Sequence, residues 1–293
     1  MCLKEKVMVV NLSISQWTAR KYDAKVSKEV EASHQAHDSG RFNKILIATE
    51  ALKAIQKIAG SARTFHYFNT LPWGDNGDRI LPSANYFNYI TEMGKFKSQF
   101  EGLVEEFITQ YPALIEDART RLNTMFNNND YPHPGFIRDR FGIKFAFMPV
   151  PDTDDLRVNI SDEEVNRIKS EIQGEITNRI DNTVKDMLNR IKEAVGHMAG
   201  VLSNEVADVN AVDPTGKAGI VYNFKNQVFR DSLVGNICNL IEVIPALNFN
   251  NDPHVNEMVN MIKPLCVNPD DLRKNDEFRR EIAKKAKNVL SYI

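Results

Sequence analysis

Residues 161–204 read SDEEVNRIKSEIQGEITNRIDNTVKDMLNRIKEAVGHMAGVLSN. Apolar side chains recur at Val165, Ile168, Ile172, Ile176, Ile180, Val184, Met187, Ile191, Val195, Met198 and Leu202, always three or four residues apart. That period lines them up along one side of an α-helix, with charged residues on the other. Ser161 and Glu164 form a capping box, in which the serine oxygen meets the backbone amide three residues on and the glutamate reaches back. At about 1.5 Å per residue the helix is on the order of 55 Å long. Its early run of fours makes the stripe drift around the axis. A bent helix packed on a partner therefore fits better than a straight coiled-coil seam.

The rest of the chain follows the same pattern. Helices are expected over residues 224–244, 253–262 and 276–292, with a polar loop over 206–219. In the last helix Phe278, Ile282, Ala286, Val289 and Leu290 face inward and the lysines outward. Toward the N-terminus, residues 7–14 are β-branched and weakly alternating, which predicts a strand, followed by helices over 17–36 and 43–67. Ser83 reads as the N-cap of a helix running from Ala84 toward Asn127, kinked at Pro112. Residues 127–135, NNNDYPHPG, form a loop, and FGIKFAFMPV at 141–150 with LRVNI at 156–160 predicts a hairpin.

The expected fold is mainly α, of the α+β class. It is an elongated bundle of long amphipathic helices with a small antiparallel sheet made by the N-terminal strand and the central hairpin. The expected regions are 1–130, 131–160 and 161–293, joined in one continuous elongated domain.

Composition narrows the function classes. The 293 residues are 42% hydrophobic and 26% charged, which is ordinary for a folded protein. With 37 basic and 39 acidic residues the net charge is −2, too small for a whole-molecule field that would draw nucleic acid or a membrane. No apolar run is long enough to span a bilayer or form a signal-peptide core, so a cytoplasmic protein is expected. Cys2, Cys238 and Cys266 are distant in sequence and odd in number, which predicts a reducing compartment and no disulfide framework.

The candidate catalytic and metal motifs are incomplete. Residues 213–219, DPTGKAG, lack the earlier glycine and the Ser or Thr of a phosphate-binding loop. His34, His37 and Asp38 offer a metal pair on a predicted helix without the three or four convergent ligands zinc needs. Asp152, Asp154 and Asp155 lack the glycine and terminal glutamate of a calcium loop. A cryptic hydrolase built on His66, Asp75 and Asp78 has no local signature. No catalytic residue, cofactor or metal is assigned.

Residues 70–87, TLPWGDNGDRILPSANYF, depart from the helical pattern. Pro72 and Pro82 delimit a loop in which Gly74 and Gly77 permit positive backbone angles, and Trp73 is expected to bury against Phe68 and Tyr86 while Arg79 pairs with Asp75 or Asp78. The loop serves either as a lock between two helices or as a binding surface made of Trp73, Asp75, Asn76, Asp78 and Arg79. An alternative surface is the aromatic cluster Phe65, Tyr67, Phe68, Trp73, Tyr86, Phe87 and Tyr89, which with Arg63, Arg79 and Lys95 would suit stacking of single-stranded nucleic acid.

Several segments carry a resemblance: PWGDNGDRILPSANYF at 72–87, FMPVPDTDDLRV at 147–158, VNLSISQWTARKYD at 10–23, GRFNKILI at 40–47, VFRDSLVGNI at 228–237 and LRKNDEFR at 272–279. With these segments the chain resembles the domain of unknown function 3150 family over most of its length. That resemblance implies a phage, prophage or conjugative-element context, near genes for an AAA+ ATPase, a von Willebrand A-type protein or annealing recombination functions. It implies no catalytic residues. The expectation is a non-enzymatic scaffold that binds an element-encoded or host protein and self-associates through the helix at 162–204. The alternative is a single-stranded nucleic-acid-binding accessory of a replication or recombination module.

Overall fold

The computed structural model describes residues 3–74, 77–151, 160–203, 206–208, 221–223 and 229–293. It is mainly helical with a small antiparallel sheet, as the periodicity predicts. Two compact units emerge from its contacts. One comprises Met1–Val10, Phe68–Tyr86 and Phe147–Ile293; the other comprises Asn11–Tyr67 and Phe87–Ala146.

The strands are β1 (Val7–Ser15), β2 (Arg20–Tyr22), β3 (Asn43–Ile45), β4 (Leu71–Pro72), β5 (Arg79–Pro82) and β6 (Gly142–Met148). Four of them form one sheet in the order β4-β5-β1-β6. The expected N-terminal strand is present and lies beside β6, the expected strand within 141–150, while its other edge pairs with β5 of the β4–β5 hairpin, which the sequence did not predict. In register, Val7 faces Pro82 and Val10 faces Arg79. The expected second strand at 156–160 falls almost wholly outside the described residues. Two further short strands, β7 (Val206–Asp208) and β8 (Val221–Asn223), pair antiparallel, and the Gly-Lys loop between them lies outside the described residues.

In the first unit, helix α5 (Asp162–Ser203) carries the stripe that decides the fold. Beyond Thr183 the stripe positions Met187, Ile191, Val195, Met198 and Leu202 are buried, in one core with Val7, Val9, Leu71, Trp73 and Ile80 of the sheet region. The same core takes in helices α6 (Ser232–Leu247), α7 (Pro253–Ile262) and α9 (Asp276–Leu290), with the short α8 (Pro269–Lys274) before α9. Helix α9 turns Ile282, Ala286 and Val289 inward as its pattern predicts, and also buries Arg279 beneath the Phe229 ring at 5.3 Å. The Ser161 oxygen reaches the Glu164 amide at 3.4 Å, the expected start signal of α5.

Proximity corrects the cysteine expectation. Cys238 on α6 and Cys266 just after the turn that follows α7 are disulfide-bonded, with Cα atoms 5.2 Å apart. A separation of 28 residues carries no sign of this, because only the packing of the α6–α7 hairpin closes the gap.

In the second unit, α1 (Ala24–His34) starts at its N-cap Asp23, whose carboxylate accepts from the amides of Lys25 and Val26. Trp17 was expected on this helix and instead precedes β2, buried against Phe107 and Tyr111 at ring distances of 6.2 and 5.9 Å. The helix expected over 43–67 begins later, as α2 (Glu50–Asn69), because residues 43–45 pair with β2 instead. A 3-10 turn, Ser83–Asn85, precedes α3 (Tyr86–Leu122), and Ser83 does not cap it; α3 runs on through Pro112. The short α4 (Pro134–Arg138) begins at the end of the expected loop and runs past it.

The β2–β3 register sets Lys21 opposite Lys44, a like-charge pair that would repel on its own. Asp130 resolves it: its carboxylate is 2.7 Å from Lys21 Nζ and 2.6 Å from Lys44 Nζ. Lys44 also lies 3.3 Å from Asp23 and donates to the Met125 carbonyl at 3.0 Å. The side chains of Lys44 and Asp130 are only 7% and 5% exposed, so this is a buried ion network. Burial alone would raise the Asp130 carboxyl pKa, but hydrogen bonds and charge from Lys21 and Lys44 outweigh it and hold it below the ordinary carboxylate value. Burial alone would lower the Lys44 pKa, and its two carboxylate partners push it above the ordinary lysine value instead.

Candidate functional site

Within residues 70–87, β4 and β5 pair as the two strands of a β-hairpin. Leu71 pairs with Ile80 and Pro72 with Arg79, and the amides of Trp73 and Gly74 both donate to the Asp78 carbonyl at 3.1 Å. Gly77 has φ +81°, a backbone angle that side chains with a Cβ adopt only under strain. Gly74, also expected at a positive angle, has none. Gly77→Ala is therefore expected to cost about 1–2 kcal/mol, and Gly74→Ala less, since a Cβ at 74 would sit in ordinary contact 3.5 Å from Asp78. Urea melts of the two variants compare them directly.

Arg79 turns back beneath the hairpin. Its guanidinium donates to the Thr70 hydroxyl at 2.7 Å and the Thr70 carbonyl at 2.8 Å. Arg190 of α5 donates to that same carbonyl at 2.7 Å and to the Phe68 carbonyl at 2.8 Å, and pairs with Asp186 at 2.7 Å. Two guanidinium groups thus satisfy the backbone where the chain leaves α2, which makes Arg79 part of the hairpin's attachment to α5.

Trp73 is 7% exposed and belongs to the apolar core of its unit. The Arg179 guanidinium of α5 lies 5.7 Å from its ring centre. Beside it opens a pocket of about 350 Å³ lined by Trp73, Pro151, Glu171, Ile172, Glu175, Ile176 and Arg179. The rim charges are matched, since Arg179 pairs with Glu175 at 2.9 Å and Arg167 with Glu171 at 2.7 Å. The apolar residues are Trp73, Pro151, Ile172 and Ile176. This arrangement can hold an apolar side chain under a polar rim; among the described residues that line it, none is a nucleophile beside a base.

Of the five residues proposed from the sequence, Trp73 lines this pocket, Asp78 closes the turn through its carbonyl, and Arg79 is engaged with Thr70. Asp75 and Asn76 lie outside the described residues. The α5 members of the pocket, Ile172 and Ile176 above all, stand in the sequence only as stripe positions, and nothing local ties them to a tryptophan about a hundred positions earlier.

The chain matches a family model described as protein of unknown function (DUF3150) over residues 4–199. The chain belongs to the DUF3150 family. No curated protein and no solved structure matches this DUF3150 protein.

Other candidate chemistry in the DUF3150 chain separates in space or falls outside the described residues. Helix α1 ends at His34, and Gln35 takes a left-handed angle, so His34 and His37 do not share a helix face. Asp152, Asp154 and Asp155 lie outside the described residues. Among the described residues, no group of three or more His, Cys, Asp or Glu side chains could hold a metal ion, and no helix is long and apolar enough to cross a membrane. His66 is 3% exposed and its Nδ1 is 2.8 Å from the Tyr89 hydroxyl, a buried polar pair within the aromatic packing of its unit. Burial raises the Tyr89 pKa, so that hydroxyl stays protonated at neutral pH.

Proposed function

We propose that this DUF3150 protein is a non-enzymatic interaction protein of a phage or mobile element that works in the cytoplasm and binds a protein partner. Candidate partners are AAA+ or von Willebrand A-type machinery encoded by the element, or a host factor. The observation that carries this reading is the pocket beside Trp73. It has an apolar floor and a charge-matched rim, suited to one apolar anchor of a partner in the way interface hot spots are built. The N-terminal half of α5 adds support: Val165, Ile168, Ile172 and Ile176 continue the apolar stripe there without any of them becoming fully buried. That half of the stripe also supports self-association.

Ile172→Asp tests the reading. It places a charge in the pocket at a half-buried position, where a loss of about 1 kcal/mol leaves the fold intact. Affinity capture of the tagged protein from element-bearing cells, with nuclease present, is expected to retain a stoichiometric partner that the variant loses. Recovery of the same partner with the variant would overturn the pocket as the binding site.

A second reading, single-stranded nucleic-acid binding, is favoured by one observation. Phe87 and Tyr67 are 79% and 55% exposed, in the same unit as the exposed Arg63 and Lys95. Against it, Tyr89 of the same cluster is buried and Phe65 packs on Tyr89 and Phe96. Salt-dependent retardation of single-stranded oligonucleotides, lost in Phe87→Ala, would replace the first reading with this one.

A further inference from the structure

The bonded pair Cys238 and Cys266 is unequal in its surroundings. Cys238 stands in the middle of α6, half-buried beside core positions Ile237 and Leu240, whereas Cys266 is exposed where the chain leaves the Lys263–Leu265 turn. Its backbone amide is held by the Lys263 carbonyl at 3.2 Å. The bond therefore staples an exposed connection onto a core helix, joining an exposed cysteine to a half-buried one. Thiol–disulfide exchange follows access to the sulfur as well as thiolate character.

We propose that Cys266 is the site at which a small thiol or disulfide of the glutathione class enters and leaves, and that the Cys238–Cys266 pair is a reversible redox clamp on the α6–α7 hairpin. In the closing direction the Cys266 thiolate attacks one sulfur of a glutathione disulfide. A mixed disulfide forms at Cys266 and one glutathione thiolate departs. The Cys238 thiolate then attacks the Cys266 sulfur and expels the second glutathione. Two cysteine thiols are oxidised to one disulfide and one glutathione disulfide is reduced to two thiols, with the two cysteine protons passing to the departing thiolates. In the opening direction a glutathione thiolate attacks Cys266 Sγ, releases the Cys238 thiolate, and a second glutathione resolves the adduct.

The clamp closes a loop across the 28-residue separation of the two cysteines. Loop-closure entropy then predicts that opening lowers the melting temperature by roughly 5–10 °C. This follows from the bonded pair alone and is independent of what the Trp73 pocket binds.

The test uses the full chain with Cys2→Ser, which leaves only the pair. The protein is equilibrated in glutathione buffers from fully oxidised to millimolar reduced, quenched with acid, alkylated and read by intact mass and peptide mapping alongside melting curves. The expected result is a reversible two-electron transition in which both thiols become alkylatable on reduction and the melting temperature falls. Adding Cys238→Ser is expected to trap one glutathione on Cys266, and Cys266→Ser to slow adduct formation at Cys238 by at least about tenfold, the consequence of shielding. Two free thiols in glutathione disulfide, or a bond that survives millimolar reduced glutathione, would overturn the clamp. Equal adduct rates in the two single variants would overturn Cys266 as the point of entry.

Discussion

Lys44→Ala is expected to destabilise the protein by about 3–5 kcal/mol, as removal of one partner from a buried ion pair does. The variant leaves the 5%-exposed Asp130 carboxylate with the Lys21 ammonium alone and removes the donor to the Met125 carbonyl. Urea unfolding at neutral pH measures the loss, and a change below about 1 kcal/mol, the range of surface pairs, would show that the network is solvated. The double variant Lys44→Met with Asp130→Leu is expected to recover most of the loss, because apolar groups of similar size no longer need to be paired.

The same network sets a pH signature. Asp130 and Asp23 are both held below the ordinary carboxylate pKa, Asp23 first through the Val26 amide and then through Lys44. Their stabilising contribution is present above the unfolded-state pKa of about 3.9 and is lost as pH falls through their lower folded values. Lys44 is held above the ordinary lysine value, so its contribution is present below about pH 10.4 and is lost as pH rises through the higher folded value. The stability gap between wild type and Lys44→Ala should therefore be widest between these limits and should narrow in acid below about pH 4. A gap that stays constant down to pH 2 would assign the loss to packing instead of charge.

Trp73→Ala is the second large effect, at about 3–5 kcal/mol, the usual range for removing a buried aromatic ring from a core. Trp73 packs where strands β4 and β5 meet α5, so the cavity forms at the hairpin's attachment. Arg79→Ala is expected to cost less, about 1–3 kcal/mol, by leaving the Thr70 hydroxyl and carbonyl with fewer donors. Together the two variants separate the roles of the hairpin. If Trp73→Ala loses stability while Ile172→Asp keeps the fold and loses partner binding, the tryptophan locks the hairpin and the α5 face of the pocket makes the contact. A Trp73→Ala protein that melts like wild type would sink the lock.

How far the sequence reaches depends on how local each cause is. The periodic stripe of α5, its Ser161 cap and the inward face of α9 are all written in residues three or four apart, so they are legible without a structure. So are the N-terminal strand and helix α7, whose start coincides with Pro253 after the capping Asp252. Short pairings were not legible. Residues 43–45 have enough helix character to be read as a helix start, and only their register with residues 20–22 makes them strand. The β4–β5 hairpin looks like a loop in the sequence, because two residues of β4 give no alternation to count.

The site divides in the same way. Trp73 stood out in the sequence because an aromatic between glycines and aspartates departs from its helical surroundings. Its pocket did not, because Ile172, Ile176 and Arg179 come from a helix about a hundred residues away and look there like any other turn of the stripe. Lys21, Lys44 and Asp130 were scattered charges until strand register and chain return made them a buried network, and Cys238 and Cys266 were distant thiols until the α6–α7 hairpin set their Cα atoms 5.2 Å apart. The helical class, the long amphipathic helix and the family are all readable from residues close together in the chain. The hairpin, the pocket, the ion network and the disulfide come from folding alone, because each depends on contacts between separate segments of the chain, which no local period encodes.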